Sequence, residues 1–244
     1  MKTSDLIKKK QKSHYDVLSA DYVSKIDLRS YNYYFKFTLE TALNALENHF
    51  PNLSEITGLD IGCGNGDFSI ALAESCRHIN GVDLSTGMIE MANKTNQSMN
   101  VSFTASPSDR LEFQDSYFEF SSSIHLFHHL AEPNLIKATL REMKRVTKKG
   151  GVILIIDVNK LNPLSFFAQY LMVSRGVDTG LEKLVYPSLL KKMFRELDIE
   201  FVSHKGFCFV PHIFPRLAKY NDYIGTWFPH RIIGKDYVII GKIK

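Results

Sequence analysis

Cysteine is scarce in this chain: a sequence of 244 residues holds three, at Cys63, Cys76 and Cys208. None of them belongs to a CxxC pair, so the sequence predicts neither a zinc site nor a disulfide framework, and no metal site of any kind is expected. Unpaired cysteines are typical of a reducing compartment, and we expect a cytoplasmic protein.

Long apolar runs and a strong excess of charge are missing too. The apolar stretch from Phe166 to Met172 is far shorter than the roughly 20 residues that a membrane span needs. The N-terminus is rich in lysine but has no apolar signal-peptide core, which argues against export. The net charge of +4 is small, so a nucleic-acid partner is not expected.

A regular alternation of strand and helix patterns is present from residue 56 onwards. Strands separated by helices of this length indicate a parallel sheet with right-handed crossovers. We therefore predict an α/β, Rossmann-like, doubly wound sheet of seven strands, mostly parallel with an antiparallel last strand, behind a helical N-terminal cap. The expected strands lie near 56–61, 78–83, 100–105, 118–124, 151–158, 199–208 and 235–243, and the expected helices lie near 3–48, 67–76, 86–96 and 134–148, with Gly150 and Gly151 ending the last of these.

The length suits one domain over residues 1–244. Within it we expect a helical cap at 1–50 and a cofactor-binding core at 51–158. A substrate-side insertion at 159–198 and the final strands at 199–244 would complete the chain.

The most informative stretch is a glycine loop that follows a strand ending in Asp60. Gly62, Gly64 and Gly66 stand at alternate positions, and glycine permits both positive φ angles and close approach of a ligand to the backbone. Asp83 ends the next strand about 20 residues later, where nucleotide-binding βαβ units place a ribose-binding carboxylate. The pattern predicts a nucleoside-type cofactor. The GxGxG spacing differs from the GxGxxG of dinucleotide sites, and a tight turn alone would not require Asp83.

Four segments in the same order resemble the class I S-adenosylmethionine-dependent methyltransferases, in particular their small-molecule type 11/12 group. The segments are Asp60-Ile61-Gly62-Cys63-Gly64-Asn65-Gly66, Val82-Asp83-Leu84-Ser85 with Met88, Phe127-His128-His129-Leu130 with Pro133, and Val146-Thr147-Lys148-Lys149-Gly150-Gly151. The resemblance implies S-adenosyl-L-methionine as cofactor and S-adenosyl-L-homocysteine as product.

The same resemblance implies roles for individual residues around that cofactor. Asp60 would hold the methionine ammonium, directly or through water, above the exposed backbone of Gly62, Cys63 and Gly64. Asp83 would accept hydrogen bonds from both ribose hydroxyls. Leu84 and Met88 would sandwich the adenine.

One position departs from the family pattern, after the third strand. The family usually presents an acidic residue to the adenine amino group there, whereas this chain has Pro107. We expect Ser108 or Asp109 to take over that contact through an altered loop.

Three histidines, His125, His128 and His129, follow the fourth strand, where an open α/β sheet has its ligand crevice. Histidine is the usual general base for a hydroxyl acceptor. His125 lies nearest the strand end and has the best claim to face the transferred methyl. His129 matches a histidine common at that position in the family, which is equally consistent with a structural role.

The resemblance implies that the N-terminal helices and the insertion after the fifth strand select the acceptor, and in this chain both segments contain aromatic residues. We predict a small or lipid- or glycan-linked acceptor, methylated at oxygen. A basic and aromatic segment at 215–231 is either a packed extension or a peripheral contact with an anionic membrane. An NAD-dependent oxidoreductase and a non-catalytic S-adenosylmethionine-binding module are the alternative functions. The residues expected to face the acceptor are Tyr15, Tyr22, Asn159, Asn162, Phe166, Phe167 and Tyr170.

Overall fold

The structure is a computed structural model, and it describes residues 3–25, 28–207 and 234–244. Cys208 and the basic, aromatic segment at 215–231 lie outside the described residues. Nine α-helices lie within those described ranges: α1 (Thr3–Leu18), α2 (Tyr22–Lys25), α3 (Leu28–Glu47), α4 (Asp67–Ala73), α5 (Thr86–Thr95), α6 (Phe127–Leu130), α7 (Pro133–Val146), α8 (Pro163–Ser174) and α9 (Pro187–Glu196). The strands there are β1 (Thr57–Ile61), β2 (His78–Asp83), β3 (Val101–Ala105), β4 (Phe118–Ile124), β5 (Thr147–Val158), β6 (Ile199–Phe207) and β7 (Asp236–Ile243).

All seven strands form one sheet in the order β3-β2-β1-β4-β5-β7-β6. The first five pair in parallel, and β7 runs antiparallel to both β5 and β6. The predicted mixed, doubly wound sheet is confirmed. The strand order reverses between β1 and β4, which is where an open α/β sheet places its ligand crevice.

The core lies on both faces of the sheet, and β5 divides it. Val152, Leu154 and Ile156 pack into one layer of buried side chains, whereas Ile153 and Ile155 pack into the other. A strand covered on both faces needs no alternation of apolar and polar residues, which explains its continuous apolar sequence. Within the described ranges, no helix combines the length and the apolar character that crossing a membrane would require.

The N-terminal segment over 3–48, which the sequence pattern predicts to be helical, is divided into α1, α2 and α3. α1 ends at Leu18, and the Ser19 hydroxyl donates to the backbone carbonyl of Asp16. The backbone N–H of Asp21 donates to the carbonyl of Leu18. Serine and aspartate bond readily to nearby backbone and so favour helix ends over helix interiors. The break lets the two long helices pack in different places: α1 contacts α5 and α6, whereas α3 contacts α4, β5 and β7.

The prediction that Gly150 and Gly151 end the helix at 134–148 is wrong. α7 already ends at Val146, and β5 begins at the next residue. The pairing of β4 with β5 shifts register here, and Gly150 adopts a φ of 79° inside the bulge. A positive φ favours glycine, so this pair of residues serves a β-bulge.

Gly58 gives a test of how tightly β1 and β4 pack. A Cβ atom added to Gly58 would lie 2.1 Å from the Cζ atom of Phe120, a fully buried side chain. Gly58→Ala should therefore lower the free energy of unfolding in urea by about 1–3 kcal/mol, the usual cost of overpacking a core. The same substitution made in a Phe120→Leu background should cost clearly less. Equal costs in the two backgrounds would show that the Phe120 ring is not the obstacle.

Candidate active site

A cavity of about 420 Å³ opens at the carboxyl ends of β1, β2 and β4. Its wall is built from the loop after β1, the end of β2 and the histidines after β4. Helices α1, α3 and α8 close it from the opposite side. Residues of these helices that line it are Ile7, Lys8, Gln11, Lys12, Tyr15, Tyr31, Tyr34, Phe35, Ser165, Ala168, Gln169 and Met172.

Backbone hydrogen bonds hold the glycine loop against β2. The N–H groups of Gly62 and Cys63 both donate to the carbonyl of Val82, at 2.7 and 3.0 Å. Gly62 and Gly64 have φ angles of 77° and 54°, which glycine adopts without strain. A Cβ atom on Gly64 would meet nothing within 4 Å. The loop therefore presents bare backbone to the cavity, which suits a ligand that approaches closely.

Asp83 lines the cavity at the end of β2 and connects the glycine loop to α5. Its Oδ2 accepts the N–H of Gly64 at 3.0 Å, and its Oδ1 accepts the N–H of Ser85 at 2.8 Å. Burial raises the pKa of Asp83, and these two hydrogen bonds oppose the shift. Each carboxylate oxygen has lone pairs left over for a ligand's hydroxyl groups.

Asp60 lies beneath the loop and is not among the described residues that line the cavity. Its carboxylate accepts the hydroxyls of Ser69 at 2.7 Å and Ser122 at 3.2 Å. The side chain is buried, and burial raises the pKa of Asp60 to about 6 against the effect of those two hydroxyls. From this position the Asp60 carboxylate can attract a positive charge on the other side of the glycine loop.

Three further residues predicted to bind the cofactor also line the cavity: Cys63, Leu84 and Met88. Met88 is nearly fully buried, so it belongs to the core as well as to the cavity wall. Burial raises the pKa of the Cys63 thiol well above its ordinary value. Because the thiolate is the reactive form, this cysteine is a packing residue and not a nucleophile.

The two candidates for the adenine contact differ in position. Ser108 lines the cavity, and its hydroxyl is 2.9 Å from the hydroxyl of Thr139. Asp109 is absent from the lining residues and forms an ion pair with Lys8 of α1 at 2.5 Å. Asp109 is thus engaged in holding α1, whereas Ser108 stays within reach of a ligand.

His125 faces the cavity in an unusual backbone conformation, with a φ of 57°. Its Nε2 forms a hydrogen bond with the hydroxyl of Tyr34. Burial, together with the nearby ammonium group of Lys235, lowers the pKa of His125 to about 3. The ring is therefore neutral at physiological pH and is a weak base.

His128 pairs with Asp157, a fully buried residue of β5. The His128 Nδ1 lies 2.5 Å from Oδ1 of Asp157, and the His128 backbone N–H donates to Oδ2 at 3.0 Å. Burial alone would lower the pKa of His128, but the carboxylate outweighs burial and the net shift is upward. The same contact lowers the pKa of Asp157 in spite of its burial.

His129 contacts α1 and the loop after α8. Its Nδ1 lies 3.4 Å from Oε1 of Glu182 and 3.5 Å from the hydroxyl of Tyr15. Gln11 of α1 also donates to Glu182, at 3.3 Å. This third histidine is part of the contact between α1 and the cavity wall.

Two groups of side chains around the cavity have the donor types that bind a metal ion, although the sequence predicts no metal site. In each group the ligand atoms lie within 4.8 Å of one another. The members come from distant segments, so no sequence spacing reveals them. The groups are His125, His128 and Asp157, and His129, Asp178 and Glu182.

Asp16 accepts hydrogen bonds from the start of α5 and so holds α1 next to Asp83. Its Oδ1 accepts the hydroxyl of Ser85 at 2.7 Å and the N–H of Gly87 at 3.1 Å, and Lys12 donates to Oδ2 at 2.6 Å. Burial tends to raise the pKa of Asp16, but these hydrogen bonds lower it to about 2. A carboxylate at a helix N-terminus is also favoured by the helix dipole. Sequence reasoning missed this residue because its partners are far along the chain.

The residues expected to face the acceptor fall into three sets. Tyr15 and Tyr22 line the cavity, and Asn159 and Asn162 are buried outside the described lining. The aromatic residues expected on α8 point away from the cavity, and the other face of that helix lines it. Phe166, Phe167 and Tyr170 form the outward set. Tyr31, Tyr34 and Phe35 of α3 also line the cavity.

A family model described as a methyltransferase domain matches residues 59–155. The match runs from β1 through most of β5 and includes the glycine loop, Asp83 and all three histidines. It therefore covers the part of the chain that builds the cavity floor.

Two curated relatives show how far the similarity extends along the chain. A sterol 4-C-methyltransferase of Caenorhabditis elegans is 30% identical over 132 residues, which cover 51% of this chain but only 39% of that protein. A ubiquinone biosynthesis O-methyltransferase of Brucella ovis is 24% identical over 207 residues, covering 80% of this chain and 77% of that protein.

The fold has close counterparts among solved structures. A methyltransferase of Thermotoga maritima, described as a possible histamine N-methyltransferase, superposes with a TM-score of 0.65 at 20% identity. The superposition covers 96% of this chain and 99% of that one. The cavity fits the cofactor on its own geometry, since bare loop backbone and a carboxylate meet at its floor. Residues 59–155 thus form a methyltransferase domain within the fold of the class I S-adenosylmethionine-dependent methyltransferases, and its cofactor is S-adenosyl-L-methionine.

Proposed function

We propose that the protein transfers a methyl group to a hydroxyl oxygen of a small acceptor with a large apolar part. The observation that carries the proposal is the buried pair of His128 and Asp157 in the cavity wall. S-adenosylmethionine supplies an electrophilic methyl group. The protein has to position the acceptor and take up the hydroxyl proton.

The His128–Asp157 pair has the geometry of an oriented base. An ionised carboxylate only accepts hydrogen bonds, so its contact with Nδ1 places the histidine proton on that atom. Nε2 is then the basic nitrogen of the ring, and the second carboxylate bond, to the His128 backbone, holds the residue in place. This use of aspartate to orient a histidine and stabilise its protonated form is a recurrent catalytic arrangement.

His125 and His129 take other roles in this proposal. A pKa near 3 makes His125 a poor proton acceptor, although the sequence favours it as the base. With its Tyr34 hydrogen bond it serves as a neutral polar contact in the wall. His129, paired with Glu182, positions α1.

The cavity wall supports an acceptor that is largely apolar. Aromatic and apolar side chains from α2, α3 and α8 face the histidines, including Tyr22, Phe35 and Met172. The names of the two relatives indicate acceptors of related character, a sterol in one and a ubiquinone precursor in the other. An amine acceptor, as named for the Thermotoga structure, would have less need of a base.

The proposed cofactor seat combines the residues that line the cavity floor. Asp83 would accept the ribose hydroxyls and Ser108 would meet the adenine. Asp60 would act on the methionine ammonium from beneath the loop. The remaining contacts would come from Gly62, Cys63, Gly64, Leu84 and Met88.

Asp83→Asn tests the proposed cofactor-binding site. Losing charge-assisted hydrogen bonds to the ribose should weaken binding of S-adenosylhomocysteine by about tenfold or more, measured by calorimetry. Glu90→Gln removes the same charge from the exposed side of α5 and is the matched control. An unchanged dissociation constant in a folded Asp83→Asn protein would contradict the role of Asp83.

His128→Ala tests the proposed base. With a panel of phenols and hydroquinones as acceptors, it should lower the rate of S-adenosylhomocysteine formation by about 100-fold or more. Its affinity for S-adenosylhomocysteine should stay close to that of the parent protein. Asp157→Asn should act in the same direction, because it removes the group that orients the ring.

His78→Ala is the control, since this histidine lies at the start of β2, at the opposite end of the strand from Asp83, and its ring bonds the exposed Ser102 hydroxyl. A parent protein that binds the cofactor but turns over none of the panel would favour the non-catalytic module. Full activity in His128→Ala would remove the base role, and preferential binding of NAD would revive the oxidoreductase alternative.

A further inference from the structure

Helix α8 lines the cavity with one side and is apolar on the nearly opposite side. Ser165, Ala168 and Met172 lie on the side that lines the cavity. The other side, called here the α8 outer face, carries large apolar side chains that are more than a third exposed: Phe166 (51%), Phe167 (48%), Tyr170 (69%) and Val173 (37%). A contiguous exposed patch of large apolar side chains normally marks a contact surface. The outer face therefore calls for a covering surface.

Basic residues lie at both ends of this face. Lys160 precedes α8, and its Nζ lies 4.6 Å from the ring centroid of Tyr186, which is itself exposed. Arg175 follows α8 directly and is exposed. Lys25 stands beside the same end, with its Nζ 3.6 Å from the place where Gly176 would carry a Cβ. Aromatic side chains flanked by cations are the chemistry that suits the headgroup region of an anionic bilayer.

We propose that the α8 outer face rests on an anionic lipid surface, and that the acceptor is an apolar hydroxyl compound carried in that surface. The second half of this statement rests on the proposed function. The first half does not, because lipid binding is measurable without methyl transfer.

The position of the cavity supports the link between the two halves. Lys25 and Arg175 belong both to the basic edge of the outer face and to the residues that line the cavity. An acceptor leaving the lipid beside α8 would thus enter the cavity without crossing open water. A second copy of the chain is a poorer occupant, because pairing two such faces would bring a second set of the same cations close to the first.

Flotation with phospholipid vesicles tests the proposal on the full chain. We expect retention by phosphatidylcholine vesicles that contain phosphatidylglycerol, with weaker retention by phosphatidylcholine alone and a decline as salt is added. Replacing Phe166, Phe167 and Tyr170 by serine should weaken the apparent affinity by about tenfold or more, since their apolar area would no longer enter the lipid. Lys160→Glu should weaken mainly the preference for anionic vesicles.

The matched control is the double variant Met99→Ser and Tyr117→Ser, which removes exposed apolar side chains elsewhere on the surface. It should float like the parent protein. Failure of the parent to bind anionic vesicles, or equal binding by the triple-serine variant, would overturn the proposal. So would a parent dimer that the triple-serine substitution converts to a monomer, because a second copy would then cover the face.

The triple-serine variant should bind S-adenosylhomocysteine like the parent, because none of its changed residues lines the described cavity wall. Two further results distinguish a failure of this proposal from a failure of the proposed function. Loss of vesicle binding with turnover of a water-soluble phenol retained would support the lipid contact alone. Vesicle binding in a protein that methylates no hydroxyl compound would leave the lipid contact standing and defeat the acceptor assignment.

Discussion

The carboxylate of Asp83 is the interaction on which the site depends. It accepts one backbone N–H from the glycine loop and another from the start of α5, so a single side chain sets the separation of the two. Ser85 then bonds Asp16, which brings α1 over the same place. Three segments far apart in sequence thus meet at the end of β2. The geometry of the cavity floor follows from this meeting.

The floor was predictable because its determinants are local. A strand ending in Asp60, alternate glycines and an acid about 20 residues later lie within one βαβ unit, whose geometry is fixed by sterics and handedness. The continuous apolar run of β5 likewise predicts a strand covered on both faces. The parallel part of the sheet followed from the same reasoning. Gly150 was misassigned, because a positive φ ends a helix and shapes a β-bulge equally well.

The cavity walls were not predictable because their contacts join distant segments. Asp157 reaches His128 from the neighbouring strand, Glu182 reaches His129 from the loop after α8, and Asp16 reaches Ser85 from α1. No periodicity in the sequence signals any of these pairs. The expectation for α8 shows the same limit: its composition suggests contact with an apolar group, but only the helix orientation reveals which face lines the cavity.

The buried Asp60 carboxylate has a consequence for the empty protein. Its pKa in the native state, about 6, exceeds the ordinary value of 3.8, so the native state holds this proton more tightly than the unfolded chain does. The contribution of Asp60 to the free energy of unfolding therefore falls as the pH rises from 3.8 to about 6, and it stays at the lower level at higher pH. At neutral pH the protein carries an unfavourable buried charge directly under its cofactor loop. A cation bound above that loop would offset part of this cost. The same buried charge therefore lowers the stability of the protein without ligand and strengthens the binding of a cationic ligand.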